Sequence, residues 1–325
     1  METIADIFFN IIDQFTNPKK RVFLFYIFLS VVIATLWLMF HKKKTFKKAI
    51  KIIFNPKLLF SKSATSDYKI FIINQIIMFI VSPVLLTQLA IATVLYYYFH
   101  TIPWLSSGMY GHLPIYFIVS LFTIFNFILD DFTKFIIHRW MHKWNFLWAL
   151  HKVHHSATNL TPMTVFRTHP LEGIIFTLRS IFTQAIILSS FIFLFGKNVD
   201  LLTVLGVNIF IFLFNIFGSN LRHSHIGIRY WKWLEFILIS PAQHHIHHSI
   251  SKEHHDKNFG VSLAIWDWLF GSLHHSEKED TENLTLGIGT LNNKNIHSLK
   301  NLYLQPIIEI YNLFKKKFFY LRDLK

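Results

Sequence analysis

Three groups of histidines have the spacing of metal ligands. His138-Arg139-Trp140-Met141-His142 is an HxxxH element, His151-Lys152-Val153-His154-His155 is HxxHH, and His244-His245-Ile246-His247-His248 contains a second HxxHH. At about 100° per residue, His138 and His142 lie roughly 40° apart on one helix face, and the outer positions of each HxxHH span about 100° of arc. Each group can therefore turn two or three imidazoles toward one point. One HxxxH alone is most simply a solvated or internally bonded pair; three such groups in one chain are not. Eight imidazoles packed together could not all stay protonated, because like charges repel. A metal ion resolves this, since it takes neutral imidazole.

The donor set narrows the chemistry. The chain has no cysteine, which excludes disulfides, thiolate metal sites and thiol catalysis. Imidazole suits Zn, Cu, Fe and Ni. A catalytic zinc uses three protein ligands and one open position, so eight or nine histidines suit two ions better than one. A zinc hydrolase would need a general base, and no HExxH is present. The Glu-x-x-His pattern of soluble di-iron bundles is also absent. The ligand count favours an all-histidine dinuclear site and does not by itself select iron.

The elements that position these histidines belong to a membrane protein. Of 325 residues, 52% are hydrophobic and 15% charged, against about 25% charged in an ordinary soluble domain. Such a chain is too poor in charge to be disordered or to cover itself with polar surface. Apolar runs predict five membrane segments, at 22–40, 70–99, 114–137, 173–195 and 201–217. Ser82-Pro83 should kink the second or make it re-entrant, and Arg179 should snorkel from the fourth. The first run is too long for a signal peptide, and no small-residue cleavage site follows.

The net charge of +14 follows the loops. Loop 41–69 carries nine lysines, whereas the turn 100–113 carries no Lys or Arg. The alternation places the N-terminus outside, and loops 41–69 and 138–172 and the tail in the cytoplasm. No reader motif accompanies the lysines, so nucleic acid is not the expected partner. Residues 302–324 read as an interfacial or plain surface helix. The expected architecture is an all-α membrane protein: an N-terminal span with a basic loop (1–69), a domain of two hairpins with a helical cytoplasmic cap bearing the histidines (70–275), and a tail (276–325).

The order HxxxH, HxxHH, a hydrophobic pair, then HxxHH resembles the fatty acid hydroxylase/sterol desaturase superfamily. The flanking residues extend the likeness: Arg167-Thr168-His169-Pro170-Leu171-Glu172, Asn220-Leu221-Arg222-His223-Ser224-His225, Asp256-Lys257-Asn258-Phe259-Gly260 and Trp266-Asp267-Trp268-Leu269-Phe270-Gly271. It covers about residues 113–275. The resemblance implies a membrane-bound non-haem di-iron oxidoreductase that uses O2 and two external electrons to hydroxylate or desaturate a lipid C–H bond. The lipid would be a sterol, fatty acyl chain, sphingoid or ether lipid drawn from the bilayer. By position the metal ligands are His138, His142, His151, His154, His155, His244, His247 and His248, with His223 as a ninth.

Other residues carry less specific signals. His169 reads as a cap before the next segment, and His254, His255, His274 and His275 as solvated. Asp130 reads as a solvated helix end, whereas Asp131, two turns before His138, shares its face. Asp267 could orient a ligand histidine or simply hold an aromatic turn. No dinucleotide fingerprint or fused cytochrome is apparent, so a separate electron-transfer protein is implied. The competing reading is a non-enzymatic membrane metal carrier or sensor. It is disfavoured because a carrier should hold ionisable residues near mid-membrane, and the apolar segments are almost free of them.

Overall fold

Long apolar runs become long helices here, and their ends are set by caps and by the residues that must reach the histidine site. The computed structural model describes residues 2–81, 87–279, 281, 283–289 and 295–322. α1 (Glu2–Thr16) and α2 (Leu24–Phe40) lead into the lysine-rich segment, which folds as α3 (Phe46–Ile53) and the single turn α4 (Pro56–Leu59). There follow α5 (Lys62–Val81), α6 (Gln88–Phe99), α7 (Ile115–Lys143), α8 (Asn145–His155) and α9 (Pro170–Phe195). A small antiparallel hairpin, β1 (Thr203–Val204) and β2 (Val207–Asn208), pairs Thr203 with Asn208. It opens onto α10 (Ile209–Phe214), a π-helical turn over Asn215–Ser219, and α11 (Asn220–Arg222). α12 (Pro241–His247), α13 (Ile265–Leu269) and α14 (Leu299–Arg322) complete the described elements.

The chain is thus mostly helical, as expected, and α5, α7 and α9 are long and apolar enough to cross a membrane. Each leaves large apolar side chains exposed, among them Ile76 and Ile80, Phe117 and Phe125, and Phe182 and Ile186. In water these rows would be an aggregation surface; against lipid tails they need no cover. α2, α6 and the run Ile209–Arg222 are apolar but shorter.

Two expected segments differ in form. The stretch 70–99 is not one arm: α5 starts at Lys62 and α6 is a separate helix, while the kink expected at Ser82-Pro83 lies outside the described residues. The segment 201–217 becomes helical only at Ile209, because 203–208 forms the hairpin around Gly206, whose φ is +71°. The runs at 114–137 and 173–195 fall inside α7 and α9.

α7 and α9 pack through Ile118, Phe122, Ile187, Phe191 and Phe195. Polar pairs fix their rotation. Asn126 donates to Gln184 at 2.8 Å, and Arg179 donates to Asp130 and to Thr133, each at 2.8 Å. Lys134 lies 2.6 Å from the other Asp130 oxygen. Asp130 is therefore a buried ion-pair partner and not a solvated helix end, and Arg179 does not snorkel. An unpaired polar group among these apolar helices would cost several kcal/mol, so the pairing penalises a rotated packing.

The tail helix is docked along its first half. Leu302 packs on Ile70 and Val153, Lys152 pairs with Glu309, and Tyr303 donates to Asn74 at 2.9 Å. Ile308, Tyr311 and Phe314 beyond it are exposed.

Candidate metal centre

α7 runs past its apolar stretch for two further turns, and these carry His138 and His142. The chain breaks at Trp144, turns directly into α8, and sets His151, His154 and His155 against them. α12 supplies the last box. Its start is set by Ser240, whose side chain accepts from Gln243 N while Gln243 reaches back to Ser240 N, with Pro241 at the first helical position. His223 arrives at the end of α11.

All nine predicted residues come together, in two groups. His138, His142, His151, His155 and His247 form one; His154, His223, His244 and His248 form the other. Within each group the nitrogens converge to within 4.8 Å of one another. In the first group, Nε2 of His138 lies 3.1 Å from Nε2 of both His151 and His247. In the second, Nε2 of His223 lies 3.2 Å from that of His154 and 3.0 Å from that of His244, and His244 lies 3.1 Å from His248. The helical periods divide each HxxHH box between the groups. From α8, His151 and His155 join the first group and His154 the second; from the last box, His247 joins the first and His244 and His248 the second.

The arrangement fits cations. Two nitrogens held at about 2.1 Å from one ion and at right angles would stand about 3 Å apart, which is the separation found. Nε2 of His142 and of His155 is buried without a hydrogen-bond partner. Burial, reinforced by neighbouring imidazoles, holds His155 and His248 well below the ordinary histidine range, and burial with the nearby Arg21 guanidinium does so for His223. His247 is lowered to about 3 by burial, partly offset by its bond to a backbone carbonyl. These imidazoles are neutral and offer lone pairs.

A surrounding layer fixes the rings. His138 Nδ1 donates to the Phe259 carbonyl at 2.6 Å, His247 Nδ1 to the Lys257 carbonyl at 2.8 Å, and His151 Nδ1 to Glu172 at 2.7 Å. Each bond fixes the tautomer that leaves Nε2 free for the cluster. The loop bearing those carbonyls is tightly built. Asp256 and Asn258 have φ of 59° and 56°, a conformation that Asp and Asn tolerate best after Gly. Gly260 has no room for a side chain: a Cβ would lie 2.4 Å from the Leu263 carbonyl oxygen and 2.9 Å from Asp267.

Both expectations for Asp267 are half met. Its carboxylate accepts from Phe259 N, Gly260 N and Ser272 Oγ, so it touches no histidine but holds the carbonyl that orients His138. Asp131 likewise does not reach His138; it accepts from Ser262 N, Leu263 N and Trp266 Nε1. His169 is the expected cap, its Nδ1 accepting from Leu171 N at the start of α9. His225 donates to the Ile52 carbonyl, and His245 to that of Ser224. His255 is exposed as expected, but His254 is buried, and His274 and His275 are partly covered.

Three site residues were not anticipated. Glu172 is the carboxylate on His151. Arg21 sits 2.7 Å from Nδ1 of His223 and also donates to the Ser219 carbonyl. Arg167, fully buried, binds Asp67 at 2.8 Å and donates to the Val153 carbonyl and Ser156 Oγ, both at 3.0 Å, which clamps the end of α8. A buried acid on the first turn of an apolar helix is a signal for Glu172; nothing local marks Arg21.

One cavity opens on the centre and a second lies beside α7. The first, about 530 Å³, is lined by His142, His155 and His247 together with Trp148, Lys252 and Asp256. The second, about 570 Å³, is lined by Ile124, Phe127, Phe214, Phe217, Tyr230 and Leu263.

A mostly helical chain with three helices long and apolar enough to cross a membrane, and nine convergent imidazoles beyond the end of one of them, has the make-up of a histidine-box protein. The fatty acid hydroxylase family model matches residues 123–272. Human (Homo sapiens) alkylglycerol monooxygenase is 29% identical over 50% of this chain and 33% of its own. The ornithine lipid hydroxylase OlsE of Rhizobium tropici is 28% identical over 50% of this chain and 44% of its own. A putative Delta(7)-sterol-C5(6)-desaturase 2 of Arabidopsis thaliana is 29% identical over 49% and 50%. No solved structure matches. Residues 123–272 of the chain are thus similar to the fatty acid hydroxylase family, and its curated relatives are lipid hydroxylases and sterol desaturases. The chain spans about a third of the length of the alkylglycerol monooxygenases it matches.

Proposed function

We propose that this protein is a membrane-embedded di-iron oxidoreductase that hydroxylates or desaturates a C–H bond of a lipid, using O2 and electrons from a separate carrier. The observation that carries the reading is the convergence of nine histidines into groups of five and four. His138, His142, His151, His155 and His247 would hold one iron, and His154, His223, His244 and His248 the other. The iron pair, when bound, would supply the oxidising equivalents that remove hydrogen from an unactivated C–H bond.

The chain's own residues do the rest. Glu172 and the carbonyls of Lys257 and Phe259 hold the Nδ1 protons of three of these histidines and so fix their rings. The apolar cavity beside α7 suits an alkyl chain drawn from the bilayer. The activities for which these relatives are named, on alkylglycerol, ornithine lipid and sterol, bring those three lipid classes forward as substrates and support an enzyme over a metal carrier or sensor.

The basic loop 41–69, the histidine cap and the tail are read as cytoplasmic, with the turn near Ser107 outside and five membrane-embedded segments in all. A reporter inserted near residue 60 should then report the cytoplasm and one near Ser107 the exterior; both on one side would refute the topology.

The activity is tested by metal analysis of purified protein and lipid mass spectrometry of cells with and without it. About two iron atoms per chain and a lipid gaining one oxygen, or losing two hydrogens, are expected. One tightly held ion with full activity would contradict the dinuclear reading.

A further inference from the structure

Beyond the last box, the chain brings three more ligand-type side chains together. His254 ends a short 3-10 turn, and its side chain is 1% exposed. Neither of its ring nitrogens has a hydrogen-bond partner. Its Nε2 lies 3.3 Å from Glu279 Oε2, out of hydrogen-bonding geometry, while His274 Nε2 lies 2.9 Å from Glu279 Oε1. The three ligand atoms fall within 4.8 Å of one another.

We propose that His254, His274 and Glu279 form a third cation site, separate from the nine-histidine centre, that takes a divalent ion of the zinc class. The donor chemistry argues for it. Within the trio, His274 Nε2 is hydrogen-bonded to Glu279 Oε1 at 2.9 Å. His254 is left buried with neither ring nitrogen hydrogen-bonded, an arrangement that is costly without a ligand. An ion gives its lone pair a partner. His274 Nε2 lies 2.9 Å from Oε1 of Glu279 and His254 Nε2 3.3 Å from its Oε2, each the separation of two donors about 2.1 Å from one ion at roughly 90–100°, so the two imidazoles flank the carboxylate. Two imidazoles and one carboxylate leave a position for water, and this donor set favours zinc over magnesium or calcium.

The position implies a bracing role. His254 and His274 bracket the loop whose Lys257 and Phe259 carbonyls orient His247 and His138. Asn258 within that loop already ties it to the His274 backbone, accepting from His274 N at 2.8 Å and donating to the His274 carbonyl at 3.0 Å. An ion would close the same loop through side chains. None of the three side chains lines either cavity, so the ion's role there is to hold the ligand-orienting loop.

The test is zinc retained by chelator-stripped, detergent-solubilised full-length protein, counted by elemental analysis after desalting. Wild type should hold one equivalent more than Glu279→Gln or His254→Ala. The same one-equivalent loss should follow Glu279→Gln in a His154→Ala, His244→Ala background, which disables the main centre without touching this one. That arm separates failure of this proposal from failure of the di-iron reading. Zinc should also slow proteolysis within residues 250–279 of wild type at least about tenfold, and not of Glu279→Gln. Equal zinc content in wild type and Glu279→Gln, or unchanged proteolysis on adding zinc, would overturn the site and leave a plain ion pair.

Discussion

The Nδ1 proton of His151 is held by Glu172 at 2.7 Å, with both side chains buried. Among the described residues, no other carboxylate touches the nine histidines. Glu172 stands on the first turn of α9, and His151 on α8, so one hydrogen bond couples a spanning-length helix to the centre.

Glu172→Gln keeps an acceptor but removes the charge; Glu172→Leu removes both. Loss of such an outer partner typically weakens metal affinity or activity 10–100-fold. Glu172→Gln should fall at the mild end of that range and Glu172→Leu at or beyond the severe end. Iron content against chelator concentration, with turnover at matched protein levels, reads both. Equal affinity in the two variants would mean that the bond does not orient His151.

The histidines should separate cleanly. His142→Ala, His154→Ala and His247→Ala should abolish turnover and release metal while the protein still inserts, and their effects should not add, since the centre fails as a unit. His223→Ala is the sharper case, because it is the one ligand outside a spaced box. His41→Ala and His112→Ala, both exposed, should be neutral. Wild-type iron content and turnover in His154→Ala would refute the di-iron reading.

Arg167 and Asp67 form an ion pair with no exposed side-chain surface. Removing one member of such a pair strands the other and costs about 3–5 kcal/mol. Arg167→Met should therefore lower the thermal midpoint sharply, and it should also release iron, because the clamp on the Val153 carbonyl and Ser156 holds the turn that follows His154 and His155. Arg167→Lys should not rescue it, since one ammonium cannot replace the guanidinium fork. Unchanged stability of Arg167→Met by scanning calorimetry or fluorescence would contradict this.

Acid should destabilise the metal-free protein in a defined window. Burial lowers His245 to about 4 and His247 to about 3, against about 6.5 in an unfolded chain. Above pH 6.5 both states are neutral and stability is flat. As pH falls the unfolded chain takes protons that the folded one refuses, so stability drops from about pH 6.5 to about 4 through His245 and on to about 3 through His247. His245 lies outside the metal groups, so His245→Gln should flatten that limb by about one proton, measured as unfolding midpoint against pH. An unchanged slope would show that His245 titrates normally in the folded state.

Eight of the nine histidines were legible because i, i+3 and i+4 spacing is a local property of a helix, whereas His223 came only from the resemblance. What the sequence concealed depends on contacts distant along the chain. Asp130 looks like a solvated helix end until Arg179, 49 residues away, is packed on it. His254 reads as a loop histidine until residues 274–279 fold over it. The hairpin at 203–208 sits inside a run uncharged from Leu201 to Leu221, where hydropathy alone cannot tell a strand pair from a helix. Glu172 was visible within its motif, but its partner lies 21 residues back.

The split of each HxxHH box between the two groups bears on how the centre would fill. α8 and the last box each contribute to both groups, so an ion captured by one group also immobilises ligands of the other. The second ion meets a site whose ordering entropy has already been lost, and it should bind more tightly than the first. Half-loaded molecules would then be scarce at every iron concentration. A preparation averaging one iron per chain should be a mixture of full and empty protein rather than a population of mononuclear centres.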